Sequence, residues 1–161
     1  MRERVGMPRL TDFLTPARIQ IHAGPGPVSR DAVLDSLAEL LAGVSHSTPG
    51  ELSRSMRERE ALQSTGIGGG VAVPHCFVDA APAQHAALVL FPRGVEFGAL
   101  DGGLVHIAVG VVGPRRPTDH LRVLARVSRL LHAEEMRAEL LRAEAPEQVM
   151  ELLRVRDEGV G

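Results

Sequence analysis

The sequence predicts an α/β domain in which a mixed β-sheet is layered with helices. Short valine-rich runs bounded by glycine or proline are typical of buried strands, and amphipathic helical patterns occur before, between and after them. The chain has 161 residues, of which 44% are apolar and 24% charged, as in ordinary globular proteins. We therefore expect one domain over residues 1–161, with its core at about 11–155 and a loose N-terminal arm at 1–10.

Four segments have the pattern of strands. Residues 19–22 alternate apolar and polar side chains, and the Gly-Pro-Gly-Pro sequence at 24–27 ends this first strand. Three short apolar runs predict buried strands at residues 71–73, 86–91 and 104–112. Turn-forming residues at 94–103 predict a tight connection between the last two strands.

Two helices are predicted in the first half of the chain by their capping residues. Ser29 caps the first, which has Asp31 in its first turn and one apolar stripe: Val33, Leu34, Leu37, Leu40 and Leu41. Thr48 and Glu51 form the capping box of the second, with proline at its first position. The glycines at 66–70 end this second helix.

Three helices are predicted in the last third of the chain. A long amphipathic helix begins at Thr118, with arginines on its outer face and an apolar stripe comprising Leu121, Leu124, Val127 and Leu131. Two shorter helices follow at residues 133–142 and 147–155. Helices and strands are thus interspersed along the chain, as expected for an α/β layered domain.

Composition excludes several classes of function. The net charge is −2 and the isoelectric point is near 6.4, so we expect no nucleic-acid or anionic-membrane partner. No apolar run reaches the roughly 20 residues that a membrane span requires. The single cysteine, Cys76, excludes an internal disulfide, which favours a cytoplasmic location. Lysine is absent, and this removes a phosphate-loop lysine and a Schiff-base lysine.

The stretch from Gly66 to His75 is the strongest chemical signal in the residues themselves. Its four glycines indicate a backbone with positive φ or a close approach to another group. Pro74 restrains the chain just before His75, so the imidazole leaves the predicted strand end in a defined direction. The spacing alone slightly favours a glycine turn with a structural histidine over a site that a phosphate or partner approaches.

The order of motifs resembles the EIIA domains of the sugar phosphotransferase system, of the mannitol/fructose type and its nitrogen-regulatory paralogue. The matching motifs are Arg59-Glu60, Ser-Thr-Gly-Ile-Gly at 64–68, Gly-Val-Ala-Val-Pro-His at 70–75, and His120-Leu121 at the start of the long helix. The resemblance spans residues 11–153. It implies a mixed β-sheet with helices on both faces.

The resemblance implies a role for three residues. His75 lies where the family has its phosphoryl acceptor, His120 matches the second active-site histidine, and Arg59 matches the arginine of the family's Arg-Glu pair. Such a protein is a phosphotransferase-system component with a phosphohistidine intermediate. We expect Cys76 to be a small apolar filler, and the other histidines (His22, His46, His85, His106 and His132) have no metal-site spacing. No cofactor or metal is expected.

The resemblance also implies the partners. The donor would be an HPr-like phosphocarrier, and the acceptor an EIIB domain in sugar transport. The alternative is a nitrogen-regulatory type of EIIA, a phosphorylation-gated binding protein whose acceptor or target is a regulatory protein. A third possibility is a degenerate member without transfer, since Gly69, Cys76 and Phe77 depart from the common pattern of Asn, a small residue and a basic residue.

Overall fold

A computed structural model describes residues 8–24 and 29–159, and these contain six strands and five helices. The strands are β1 (Ile19–Ile21), β2 (Gly66–Gly68), β3 (Val71–Ala72), β4 (His75–Phe77), β5 (His85–Val95) and β6 (Val105–Gly113). The helices are α1 (Arg30–Ser45), α2 (Pro49–Leu62), α3 (Pro117–Leu131), α4 (Glu134–Leu141) and α5 (Pro146–Gly159). Short 3-10 turns occur at Leu10–Asp12 and Pro16–Arg18.

The strands form one mixed sheet. β5 and β6 are the long antiparallel pair at its centre, and β1 lies parallel to β5. On the other side of β6, both β3 and β4 pair with it in parallel, while β2 pairs antiparallel with β3. The predicted mixed sheet is therefore confirmed.

Helices cover both faces of this sheet, because alternate residues of its central strands are buried on opposite sides. On β5, Ala86, Leu88 and Leu90 pack with the core formed by α3, α4 and α5. Ala87, Val89 and Phe91 belong to the core under α1 and α2. A strand buried on both faces reads as a continuous apolar run rather than an alternating one, which is the pattern seen here.

The predicted helix starts are confirmed by their caps. The Ser29 hydroxyl accepts a hydrogen bond from the Ala32 N–H at 3.1 Å, and the Thr48 hydroxyl accepts one from the Glu51 N–H at 3.2 Å. These bonds satisfy amides that no helical carbonyl can reach. The Gly-Pro-Gly-Pro turn at 24–27 lies mostly outside the described residues, as does most of the arm at 1–10; Leu10, at the end of that arm, is fully buried.

The predicted faces of α3 are wrong at two positions. Leu121 is 63% exposed rather than buried, since the stripe that meets the sheet is centred on Val123 and Val127. Arg126 is only 4% exposed, although the arginines of this helix were expected outside. Its guanidinium Nε lies 2.9 Å from a carboxylate oxygen of Asp157 on α5, and this ion pair replaces the hydration that burial removes.

Two short strands, β2 and β4, were not predicted. β2 is glycine-rich and β4 has only three residues, so neither carries a periodic signal of its own. Both are held by their neighbours, since β2 pairs with β3 and β4 pairs with β6. In the described part of the chain, no helix combines the length and apolarity that a bilayer crossing requires.

Candidate active site

A glycine hairpin leads the chain to His75. Gly68, Gly69 and Gly70 have φ values of +93°, +65° and +81°, a left-handed run that side chains rarely adopt and that turns β2 back into β3. The Gly69 N–H donates to a carboxylate oxygen of Asp101 at 3.2 Å. Glycine adopts this conformation at no steric cost, so Gly69 supports the turn.

The start of this hairpin is tied to helix α2 by Glu60. This buried carboxylate accepts hydrogen bonds from the backbone N–H of Thr65 at 2.9 Å and from its hydroxyl at 2.6 Å. The Thr65 carbonyl in turn accepts the N–H of Val73 at 3.0 Å. The Arg-Glu and Ser-Thr motifs are therefore joined physically, and together they hold the segment that precedes His75.

His75 opens a second short strand rather than leaving the end of β3. The chain bends at Val73-Pro74 and resumes pairing with β6, where His75 is in register with Val111. The Pro74 carbonyl accepts the Val111 N–H at 2.9 Å, which keeps the bend attached to the sheet. This places the imidazole at the carboxyl-terminal part of β6, beside the loop that enters α3.

The protonation of the His75 ring follows from its backbone contact. Its Nδ1 lies 2.8 Å from the carbonyl oxygen of Val73, and a carbonyl can only accept, so Nδ1 carries the proton. Nε2 then holds the lone pair of the neutral ring. Burial lowers the pKa of His75, Arg59 lowers it further, and the Val73 hydrogen bond and Glu60 oppose these effects. The ring is therefore a neutral nucleophile at neutral pH.

His120 lies beside His75 on the first turns of α3. The centroids of the two rings are 5.4 Å apart, and His120 is 3% exposed. Burial, with a smaller contribution from His75, lowers the pKa of His120 to about 4, so this ring is also neutral. Its backbone N–H donates to the Arg116 carbonyl at 3.0 Å, so the main chain of His120 offers no free donor to a ligand.

Gln84 orients His120, and sequence reasoning missed it. His120 Nδ1 lies 3.0 Å from Gln84 Oε1, while Gln84 Nε2 donates to the Pro114 carbonyl at 3.4 Å. Because Pro114 offers only an acceptor, the Gln84 amide turns its oxygen toward His120, which therefore carries its proton on Nδ1. Among the described residues, His120 Nε2 is the buried side-chain polar atom that has no hydrogen-bond partner.

The third predicted residue, Arg59, lies on α2 at the rim of the same pocket. Its guanidinium donates to the carbonyl of Gln63 at 2.9 Å, beyond the last turn of the helix. The structure thus brings the three predicted residues together around one surface pocket of about 570 Å³. Helices α2 and α3 form its two sides and β4 its floor, with further lining from Leu62, Phe77, Arg115 and Leu121.

Cys76 points away from this chemistry. Its thiol is buried in the core under α1 and α2, and burial raises its pKa to about 12, so it stays protonated. This confirms the prediction that Cys76 is an apolar filler. Phe77 instead returns to the side of His75, because residues two apart on a strand share a face, and its ring centroid is 4.7 Å from that of His120. Residues 8–24 and 29–159 contain no group of three or more His, Cys, Asp or Glu side chains placed to hold a metal ion.

Comparison with known proteins identifies the family and the fold. Residues 13–155 match the family model of the phosphoenolpyruvate-dependent sugar phosphotransferase system, EIIA 2. The chain belongs to this EIIA family. The family and the fold expected from the motifs are therefore confirmed, and the protein is a phosphotransferase-system protein.

The relatives of this EIIA protein include both nitrogen regulatory and sugar-specific proteins. A nitrogen regulatory protein of Pseudomonas aeruginosa is 30% identical over 149 residues, covering 91% of this chain and 96% of that protein. A fructose-specific EIIA component of Haloferax volcanii is 27% identical over 129 residues, covering 79% of this chain and 84% of that protein.

Solved structures share the fold across nearly the whole chain. The nitrogen regulatory protein IIA-Ntr of Neisseria meningitidis has a TM-score of 0.82 and 26% identity, covering 89% of this chain and 98% of that one. Enzyme IIAMTL of Escherichia coli, solved in complex with phosphorylated enzyme IIBMTL, has a TM-score of 0.70 and 23% identity. The match covers 84% of this chain and 94% of that one. At that identity the second likeness shows the fold alone.

Proposed function

We propose that His75 accepts a phosphoryl group on Nε2 from the phosphohistidine of an HPr-like carrier and passes it to an EIIB-type partner. The observation that carries the proposal is the bond from His75 Nδ1 to the Val73 carbonyl, which leaves the lone pair on Nε2. That nucleophile lies in a pocket with a buried histidine and a guanidinium. Phosphoryl transfer needs such positioning and charge stabilisation more than covalent assistance from the protein.

The transfer balances between two imidazole rings. The His75 Nε2 lone pair forms the new P–N bond while the donor's P–N bond breaks, and that electron pair stays on the donor ring. The donor ring enters protonated on its other nitrogen and leaves as a neutral imidazole. His75 keeps its Nδ1 proton, shared with the Val73 carbonyl, and takes over the positive charge that the donor ring loses.

His120 responds to the charge that arrives with the phosphoryl group. Its neutral ring presents an unprotonated Nε2, which cannot donate to a phosphoryl oxygen. Negative charge nearby favours the protonated ring, and a proton taken from solvent converts Nε2 into a charge-assisted donor. Gln84 accepts from Nδ1 in both protonation states, so the ring takes up the proton without turning. Arg59 adds positive charge at the pocket rim.

The surroundings of the pocket suit contact with another protein. Leu62 on α2 and Leu121 on α3 flank it and are 83% and 63% exposed. Exposed apolar side chains around a polar centre are typical of protein interaction sites. An HPr-like donor and an EIIB-type acceptor would each present the reacting group to His75 across this apolar rim.

A regulatory role is the second candidate function. It is favoured by the relative from Pseudomonas aeruginosa, a nitrogen regulatory protein matched over 96% of its length. In this case the phosphorylation state of His75 would gate binding to a target protein. Pull-downs with His75→Ala and with the charged variant His75→Asp separate the two roles, because identical partner sets for both variants contradict a phosphorylation-gated regulator.

The direct test is incubation with phosphoenolpyruvate, enzyme I and HPr, followed by intact mass measurement. The wild-type chain is expected to gain one acid-labile phosphoryl group, and His75→Ala none. Equal gain by both proteins, or none by the wild type, contradicts the proposal.

A further inference from the structure

Arg115 lies at the same pocket without an assigned role. It follows β6 in the loop that enters α3, and its guanidinium carbon lies 5.2 Å from the centre of the Phe77 ring. Phe77 shares a face of β4 with His75 and contacts the His120 ring. One aromatic ring on the His75 face of β4 therefore lies in contact with both a cation and His120.

The guanidinium of Arg115 keeps donors free for a ligand. Its contact with Phe77 is a cation–π contact, which uses none of the guanidinium N–H groups as a hydrogen-bond donor. Its ion-pair contact is with Asp79, at 3.8 Å between Nε and a carboxylate oxygen. Both side chains are largely exposed, so this pair is weak in water and does not tie up the remaining N–H donors.

A second guanidinium group would also suit the charge that a phosphoryl group brings to the pocket. A phosphorylated imidazole carries up to two negative charges on its oxygens, and both histidines of the unphosphorylated pocket are neutral. Arg59 lies on the α2 side together with the carboxylate of Glu58, while Arg115 lies on the α3 side. Two guanidinium groups on opposite sides of one histidine can bind different oxygens of the same phosphoryl group.

We propose that Arg115, held over the Phe77 ring, binds phosphoryl oxygens of phosphorylated His75. The inference rests on the proposed function and deepens it by naming a second phosphoryl-binding cation. The proposal also gives Phe77 a role. Phe77 stands where a basic residue is common, and its ring positions the guanidinium of Arg115 from the neighbouring loop. Arg115 thus supplies the positive charge that a basic residue at position 77 would otherwise supply.

The experiment uses phosphoramidate, which phosphorylates histidine without a protein donor, so no partner contact enters the measurement. Wild type, Arg115→Gln and Arg116→Gln are phosphorylated, and the rate is followed by intact mass. The pKa of the phosphoryl group is then read from its ³¹P shift across pH. Arg116 is the matched control, because it is the adjacent exposed arginine and does not line the His75 pocket.

We expect Arg115→Gln to slow phosphorylation about tenfold, the effect of losing one charge-assisted contact of about 1.4 kcal/mol. The same variant should raise the phosphoryl pKa by about half a unit or more, because a cation beside the group favours its dianion. Arg116→Gln should match the wild type. Phe77→Lys in the Arg115→Gln background should restore both values, since it puts a cation back on the His75 face of β4.

The outcomes separate the inference from the proposed function. A wild-type chain that takes no phosphoryl group on His75 from phosphoramidate or from HPr contradicts the proposed function. A wild type that is phosphorylated while Arg115→Gln keeps its rate and phosphoryl pKa overturns the inference alone. Slower transfer from HPr with an unchanged phosphoryl pKa also overturns it, because Arg115 would then contact the carrier protein instead of the phosphoryl group.

Discussion

Gln84 Oε1 lies 3.0 Å from Nδ1 of His120, and the other nitrogen of this ring, Nε2, is buried without a hydrogen-bond partner. Gln84 belongs to the segment that enters β5 and His120 to α3, so this segment and a helix are joined at the site by one hydrogen bond. The Pro114 carbonyl sets the direction of the Gln84 amide. A chain of three groups thus decides which His120 nitrogen can meet a phosphoryl oxygen.

Gln84→Leu should destabilise the protein by about 1–3 kcal/mol, because a buried Nδ1–H loses its acceptor. Urea unfolding measures this loss. The variant should also slow phosphorylation of His75, since the His120 ring is no longer held. Gln20→Leu is the control, an exposed glutamine on β1. A Gln84→Leu protein as stable as the Gln20→Leu protein would show that the contact contributes nothing.

Gly113→Ala should also lower stability and slow phosphorylation, because the added methyl group displaces the Gln84 side chain. A Cβ at this position would overlap the Gln84 amide, which must then leave His120. We expect a loss of about 1–3 kcal/mol in urea unfolding, with slower phosphorylation, because the buried polar groups lose their partners. Gly43→Ala on α1, where a Cβ has open space, should be neutral or stabilising. Full activity of Gly113→Ala would contradict the positioning role of Gln84.

Stability should fall as the pH drops from about 6.5 toward 4. The pKa of His120 is lowered to about 4 in the folded protein, whereas an unfolded histidine has a pKa of about 6.5. At pH values between these two pKa values, His120 binds a proton in the unfolded chain but not in the folded chain, so the free energy of unfolding decreases as pH falls. The slope from this residue is at most about 1.4 kcal/mol per pH unit. His120→Gln should show a shallower slope in urea unfolding; parallel curves would contradict the buried neutral ring.

Removing only one partner of the ion pair between Arg126 and Asp157 should strongly lower the free energy of unfolding. Arg126→Met leaves a buried carboxylate unpaired, and a loss of about 3–5 kcal/mol is expected. Arg126→Met with Asp157→Leu should recover at least half of this loss, because no buried charge remains. Arg154→Gln, which removes exposed ion pairs with Glu151 and Glu158, is the control and should change stability little. Additive losses in the double variant would contradict the pairing.

Local signals explain most of what could be predicted about the fold. Ser29 and Thr48 cap their helices through bonds to residues three positions on, and such bonds can be read from sequence. The glycine turn before His75 was equally visible, because that density of glycine indicates a left-handed backbone or a close approach to another group. His75, His120 and Arg59 were expected together from the order of family motifs, and they line one pocket.

Long-range contacts explain what could not be predicted. Gln84 lies among small and apolar residues before a strand, and nothing local shows that it reaches His120. Arg126 has the spacing of an outer helix face, and only the packing of α5 against α3 makes it buried. Arg115 follows a strand in a loop, and its position over Phe77 depends on the pairing of β4 with β6. Each of these positions depends on elements that are distant in sequence.

The central claim is that the phosphoryl group forms its bond at Nε2 of His75, because the Val73 carbonyl holds the proton on Nδ1. The most direct measurement is NMR of ¹⁵N-histidine-labelled protein after phosphorylation by phosphoenolpyruvate, enzyme I and HPr. We predict that ³¹P couples to Nε2 of a single ring, that this ring is absent from the His75→Gln spectrum, and that its Nδ1 stays protonated. A phosphoryl group on Nδ1, or on any other histidine, would contradict the account.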